Sequence, residues 1–295
     1  YKLLISYLVV ALLILAVVGT TCYKFASALI LEKTRLQAQE TIYQLSENIE
    51  HNVRLINEKL SYLAYNPKVQ DILNADISRM DEREQNAVQR DMGRMMVLAY
   101  SSASLYDLEI IPQYYEESFY ISSSETQMDL GNSEKLKAIA KAGGGKNIIY
   151  NDPASNNVQI VKEIKDIVRL SPLGYMHAAL RKDLLESMIQ EIDFASGAVM
   201  TVLDDRNQIV VGEDIFLSGD ATRLLVNMAG NFDYTMNGQD YVFLYAKSEY
   251  TNWTTVGLIP RAALNKEIFP LQLFIMFFSV TVLVLSILLS RRLSK

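Results

Sequence analysis

His51 and His177 are the only imidazoles in 295 residues, so a catalytic or metal-binding reading has to begin with them. A zinc site needs several His, Cys or carboxylate ligands at recognisable spacing, and neither histidine has such neighbours in the sequence. His51 falls on the polar side of a helical pattern. His177 lies among apolar residues of a strand-like run, where a lone imidazole more often packs than reacts. Gly143-Gly144-Gly145-Lys146 has the composition of a phosphate loop without its spacing, and Asn147 stands where Ser or Thr would hold magnesium. Asp204-Asp205 precedes Arg206-Asn207 and is expected as a turn rather than as an acid–base pair. No Gly-x-Ser-x-Gly elbow occurs. Asn252-Trp253-Thr254 has the form of a glycosylation sequon and no chemistry beyond that. Cys22 is the single cysteine, which excludes an internal disulfide. These residues carry no catalytic motif. No metal and no cofactor is expected, and binding is the chemistry left.

The elements that would position a binding site lie between two greasy stretches. Residues 269–290 (FPLQLFIMFFSVTVLVLSILLS) carry no charge and are followed by Arg291-Arg292. As a helix they would reach roughly 33 Å, enough for a bilayer core. Residues 3–23 (LLISYLVVALLILAVVGTTCY) are likewise uncharged, between Lys2 and Lys24. The competing reading of this first stretch is a cleaved signal peptide, whose apolar core would be shorter. A lipoprotein signal fits poorly, with Gly19 three positions before Cys22 and Thr21 beside it. A retained anchor is expected. The chain opens on Tyr1 rather than Met, so a trimmed N-terminus is expected as well. The effector that the second span addresses is expected beyond Lys295.

Composition agrees with a large external body on two anchors. The chain is 50% hydrophobic, yet its mean hydropathy is only +0.09. Lys2 and the Arg291-Arg292 pair place both ends in the cytoplasm and about residues 24–267 outside, giving a two-pass protein of the cell membrane. Setting aside Lys2, Arg291, Arg292 and Lys295 takes the basic count from 28 to 24 against 34 acidic residues. An acidic body of this kind lacks the basic patch of a nucleic-acid binder, so no nucleic-acid partner is expected.

From residue 24 a helix is expected to about residue 65, stopped by Asn66-Pro67. Ile42, Leu45, Ile49, Val53, Ile56, Leu60 and Leu63 recur three and four apart, an amphipathic stripe. Ile42, Ile49, Ile56 and Leu63 also keep a heptad step. The stripe either packs on its own domain or pairs with a second subunit, and Leu36, Ile42, Leu45 and Ile49 are the candidate dimer contacts. Asn66 and Pro67 cap a second, short helix. A third helix is expected over 81–100, with Met92, Met95 and Met96 as core filling. Strands follow at 105–111 and 118–123. A helix at 133–142 is stopped by Gly143-Gly144-Gly145. Strands at 146–150, 158–164 and 175–181 and a helix over 182–192 come next. The pattern then begins again, with strands at 198–203 and 208–211, a helix near 221–228, and strands at 232–236, 241–246 and 251–259. Asn237-Gly238 signals a tight hairpin.

Three segments carry a family resemblance. One runs from Asn48-Ile49 through Leu60-Ser61-Tyr62-Leu63 to residues 67–73 (PKVQDIL). Another is residues 202–210 (VLDDRNQIV). The third is residues 241–245 (YVFLY) followed by 252–260 (NWTTVGLIP) and a helix into the membrane. In this order, between two spans, they resemble the double Cache extracellular sensor, in particular the sensor region of YesM-like bacterial sensor histidine kinases. The fold class this implies is α+β: a long N-terminal helix with two tandem Cache (PAS-like) mixed α/β modules, flanked by two transmembrane helices. The corresponding divisions are 1–23 for the first transmembrane helix and 24–65 for the long extracellular helix. Then come 66–192 and 193–262 for the membrane-distal and membrane-proximal modules. Residues 263–290 form the second transmembrane helix, and 291–295 start a HAMP-like linker.

The resemblance implies a homodimer that senses an external small molecule, such as a sugar, or a ligand-loaded solute-binding protein. Chemoreceptors and diguanylate cyclases use the same kind of input, and a docking scaffold is a further alternative. The family's pocket lies in the membrane-distal module, where Tyr120, Tyr150, Asp152, Lys162 and His177 are the candidate ligand contacts. Its amino-acid-binding subgroup carries an Arg-x-Trp pair there. Here the only tryptophan, Trp253, falls in the other module, which speaks against an amino acid.

Overall fold

The computed structural model describes residues 2–103, 105–114, 117–122, 133–151, 157–192, 197–213, 225, 227–236, 238–266 and 269–293. The side chains of residues 2–16 and of several positions near the C-terminal end lie outside this description. Helix α1 (Lys2–Ala64) is one uninterrupted helix of 63 residues. It joins the first apolar stretch to the amphipathic one without a break. Gly19 is its only glycine and it holds no proline, so nothing in it ends the hydrogen-bond ladder.

The stripe on α1 is its buried face. Ile42, Leu45, Ile49, Val53, Ile56, Leu60 and Leu63 are all buried in the chain's own core. Each such side chain withdrawn from water stabilises the fold by about 1.5–3 kcal/mol. This corrects the expected dimer contacts. Ile42, Leu45 and Ile49 are already covered by their own chain, and of the four only Leu36, at 61%, is exposed. The stripe predicts burial but does not say what covers it.

Two antiparallel sheets are threaded along α1, each with its strands in the same order. In the first, β1 (Leu105–Pro112), β2 (Phe119–Ser122), β3 (Ile148–Asn151), β4 (Asn157–Lys165) and β5 (Pro172–Arg181) lie in the order β2-β1-β5-β4-β3. In the second, β6 (Val199–Leu203), β7 (Ile209–Gly212), β8 (Ala229–Met236), β9 (Gln239–Lys247) and β10 (Thr254–Pro260) lie in the order β7-β6-β10-β9-β8. Helices α2 (Pro67–Asn74) and α3 (Glu82–Ala103) pack on the first sheet, α4 (Ser133–Ala142) lies against β4, and α5 (Lys182–Gln190) reaches β7. Helix α6 (Arg261–Lys266) follows β10 and leads to α7 (Phe269–Leu293).

Local chemistry accounts for the boundaries. Asn66 accepts from the Lys68 N–H at 3.0 Å and Pro67 takes the first helical position of α2. Asp81 and Glu84 exchange side-chain to backbone hydrogen bonds of 2.8 and 3.1 Å, a capping box that starts α3. Met92 and Met96 are fully buried, as core filling requires. Gly144 at φ +59° and Gly145 at φ +95° turn the chain after α4. Met236 pairs with Gln239, and Gly238, at φ +76°, lies in the hairpin turn between them, while Asn237 lies outside the described residues. The helix expected near 221–228 falls largely outside the described residues.

The β9–β10 turn ties the second sheet to the middle of α1. Ser248 donates to Glu50 Oε2 at 2.6 Å, Asn57 Nδ2 donates to Tyr250 Oη at 2.9 Å, and Arg54 lies over the Tyr250 ring. Trp253, 4% exposed, is part of the same core as α1. Lower on α1, Arg35 pairs with Asp233 and Gln39 donates to the Tyr245 carbonyl at 3.0 Å. Among the described residues no helix is long and apolar enough to cross a membrane.

Candidate functional site

The first sheet has two unlike faces. Leu108, Ile110, Val158, Ile160, Met176, Ala178 and Leu180 point toward α1 and join its core. Alternate residues point the other way, because side chains along a strand change sides at every step. Strand register then fixes who meets whom. One row crosses the sheet as Ser122, Asp107, Ala179, Gln159 and Tyr150; the next runs Tyr120, Glu109, His177, Val161 and Ile148. A polar, partly aromatic face therefore backs an apolar one, with Lys135 of α4 placed 4.9 Å from the Tyr150 ring centroid.

His177 is the pivot of this face. It is 4% exposed, and burial pushes its imidazole down to about 4, so it is neutral at physiological pH. Its Nε2 donates to Gln159 Oε1, and Gln159 in turn directs its amide nitrogen to the Asn157 carbonyl. That assignment leaves Nδ1 as an acceptor, and among the described residues this buried atom has no partner. Asp107 accepts from Ser122, yet burial dominates and raises its carboxyl above the usual range. Glu109, 8% exposed, is the cross-strand neighbour of His177. Two carboxyls and a bare imidazole nitrogen thus present acceptors on one face. Such a surface suits a small molecule that brings N–H or O–H donors.

Three of the five candidate contacts fall on this face: Tyr120, Tyr150 and His177. Lys162 does not join them. It pairs with Met176 on the α1 side of β4, is 3% exposed, and donates to the Gly145 carbonyl at 2.6 Å with its ammonium 5.0 Å from the Tyr65 ring centroid. Burial holds that ammonium below the ordinary lysine range. Parity is the physical reason: Lys162 stands three positions after Gln159, an odd step, so the two point to opposite faces. Asp152 lies outside the described residues. Sequence reading missed Asp107, Glu109 and Gln159, although the alternation of Asp107 and Glu109 within the strand 105–111 was a signal for the first two. Among the described residues no cluster of three His, Cys, Asp or Glu side chains could hold a metal ion.

No protein-family model matches the chain. A curated relative, an uncharacterised helix-turn-helix-type transcriptional regulator, YtdP of Bacillus subtilis, is 20% identical over 294 residues. The match takes in 90% of this chain and 37% of the relative's length. Among solved structures, the sensory domain of the Campylobacter jejuni chemoreceptor Tlp3 superposes with a TM-score of 0.60 at 12% identity, over 82% of this chain and 99% of that one. Tlp3 has also been solved with L-valine and with isoleucine bound. The extracellular domain of a putative histidine kinase, rpHK1S-Z16, gives a TM-score of 0.56 at 11% identity, over 77% and 94% of the two chains. The chain thus has the α+β fold of ligand-binding sensory domains, with a long N-terminal helix and two antiparallel sheets.

Proposed function

We propose that this chain is the extracellular sensing and transmembrane signalling region of a two-pass membrane receptor, and that it binds a small amine-bearing molecule on the polar face of its first sheet. The observation that carries the ligand reading is that half-buried Asp107, buried Glu109 and the open Nδ1 of His177 share one face of the sheet. A protonated amine brings an N–H donor to the unpartnered Nδ1 and a positive charge to the two carboxyls. The arginine that strand parity puts on that face, Arg181, is already paired with Asp183, which favours a simple amine over an amino acid.

In this reading residues 66–192 form a membrane-distal module and 193–262 a membrane-proximal one. Residues 3–23 and 269–290 span the bilayer. Phe274, Met276, Phe277 and Phe278 support the second span, since α7 turns them outward at 59% exposure or more, a surface that lipid would cover. Leu29, Leu36 and Tyr43, exposed at seven-residue intervals on α1, offer a contact to a second copy in a homodimer.

The signal would pass through α7 to a cytoplasmic output. The resemblance to YesM-like sensors favours a histidine kinase. A second reading has a specific observation behind it: the curated relative is described as a transcriptional regulator, so a DNA-binding output is the alternative. The residues that follow 295 in the full-length protein decide between them.

A thermal-shift series on the chain in nanodiscs tests the ligand reading. Putrescine and phenylethylamine are compared with L-valine, D-glucose and citrate. A saturable rise in melting temperature with an amine, absent in Glu109→Gln, is the expected result. A rise with citrate alone, or no rise with either amine, would overturn it.

A further inference from the structure

A second site lies away from this face. On the flank of α1, where the two sheets meet, the structure holds a cleft of about 390 Å3. Helix α1 contributes Asn57, Ser61 and Tyr62, and Tyr65 follows its last residue; Asn147 comes from the turn before β3, and Tyr250 from the β9–β10 turn. The volume falls in the range of small-molecule sites.

Two residues that line this cleft keep an unspent amide oxygen behind its wall. Asn147 donates Nδ2 to the Asn57 backbone carbonyl at 3.0 Å and to Ser61 Oγ at 3.1 Å. A carbonyl oxygen can only accept, so the orientation of the Asn147 amide is fixed and Oδ1 is the end left over. Asn57, 3% exposed, spends its Nδ2 on Tyr250. Both Oδ1 atoms are buried, and among the described residues neither has a donor. Buried acceptors of this kind are costly unless something supplies a proton.

The surrounding charges narrow what that something is. The Tyr250 ring already carries Arg54 at 5.0 Å from its centroid, and the Tyr65 ring carries Lys162 at 5.0 Å. A cationic ligand against these rings would meet like charge, and an anionic one would meet Glu58 in the wall. A neutral molecule avoids both. Hydroxyl groups donate to amide oxygens, and the C–H face of a sugar ring lies flat on a tyrosine.

We propose that this cleft binds a neutral polyhydroxylated molecule, a mono- or disaccharide by chemical class. Its walls come from α1 and from turns belonging to both sheets, so an occupant ties the two sheets to the same stretch of helix.

Saturation-transfer NMR on the full chain in nanodiscs tests this with D-glucose, D-galactose, D-xylose, maltose and cellobiose, and with putrescine and acetate as charged controls. Saturable binding of at least one saccharide is expected, weakened about tenfold by Tyr62→Ala and by Tyr65→Leu and unchanged by His177→Gln. Tyr62 is 78% exposed, so its replacement leaves the fold intact. The proposal is overturned if none of the five saccharides binds at millimolar concentration, if binding ignores both tyrosine substitutions, or if putrescine or acetate displaces the sugar.

Discussion

Asn151, on the last position of β3, places its amide 3.4 Å from the carboxylate of Asp204, at the end of β6, and 3.2 Å from the Ile209 carbonyl. Both side chains are buried, and the contact joins the edge of one sheet to the first hairpin of the other. Asp204 is held for this by its own turn. Its second oxygen accepts from the Arg206 and Gln208 N–H groups at 2.9 and 2.8 Å, with Asn207 at φ +60° between them.

Asn151→Ala should therefore cost about 1–2 kcal/mol of stability, the worth of a buried hydrogen bond whose partner is left behind. Asp204→Ala should cost more, because it also opens the turn. Urea melts of the two single variants and the double variant give the coupling between them. A double-mutant effect equal to the sum of the single ones would remove the link between sheets from the account.

His177 predicts an acid-side loss of stability. Its folded-state value, about 4, lies below the ordinary 6.5, so between these values the unfolded chain binds the proton and the folded one does not. Stability contributed by the neutral imidazole is full above pH 6.5 and falls as pH drops toward 4, by up to about 3 kcal/mol. His177→Gln should flatten that part of the profile, measured by chemical denaturation at each pH.

Asp107 has the opposite sign. Burial raises its carboxyl, so the fold favours the protonated form, and stability from this group is gained as pH falls through the raised value. Asp107→Asn should raise the melting temperature at pH 7 and leave it nearly unchanged at acid pH. A drop at pH 7 would show the Ser122 hydrogen bond outweighing burial.

Leu36 and Ile42 separate the two roles of α1. Ile42→Ala should cost about 2–5 kcal/mol as a core truncation. Leu36→Ala should change stability by about 0.5 kcal/mol at most, as surface positions do, while weakening self-association in sedimentation experiments. Unaltered self-association would move the dimer contact elsewhere.

Much of this architecture was legible in the chain. The three-and-four spacing from Ile42 to Leu63 marked a buried helical face, and Asn66-Pro67 and Asn237-Gly238 marked their boundaries, because capping and turn chemistry are local. The covering of that face by β9 and β10, and the placing of β5 between β1 and β4, depend on contacts far apart in sequence, which periodicity does not report. At the site the difficulty was finer. Lys162 and Gln159 sit in one strand and differ only in parity, so choosing polar residues by neighbourhood mixed the two faces of the sheet.

The unbroken course of α1 has a mechanical consequence. A rod about 95 Å long works as a lever, and one degree of tilt at its upper end displaces its foot by roughly 1.7 Å. Twist imposed near Tyr65 likewise reaches Lys24 without a joint to absorb it. Small rearrangements among the turns that grip the shaft therefore arrive at the other end as displacements of atomic size.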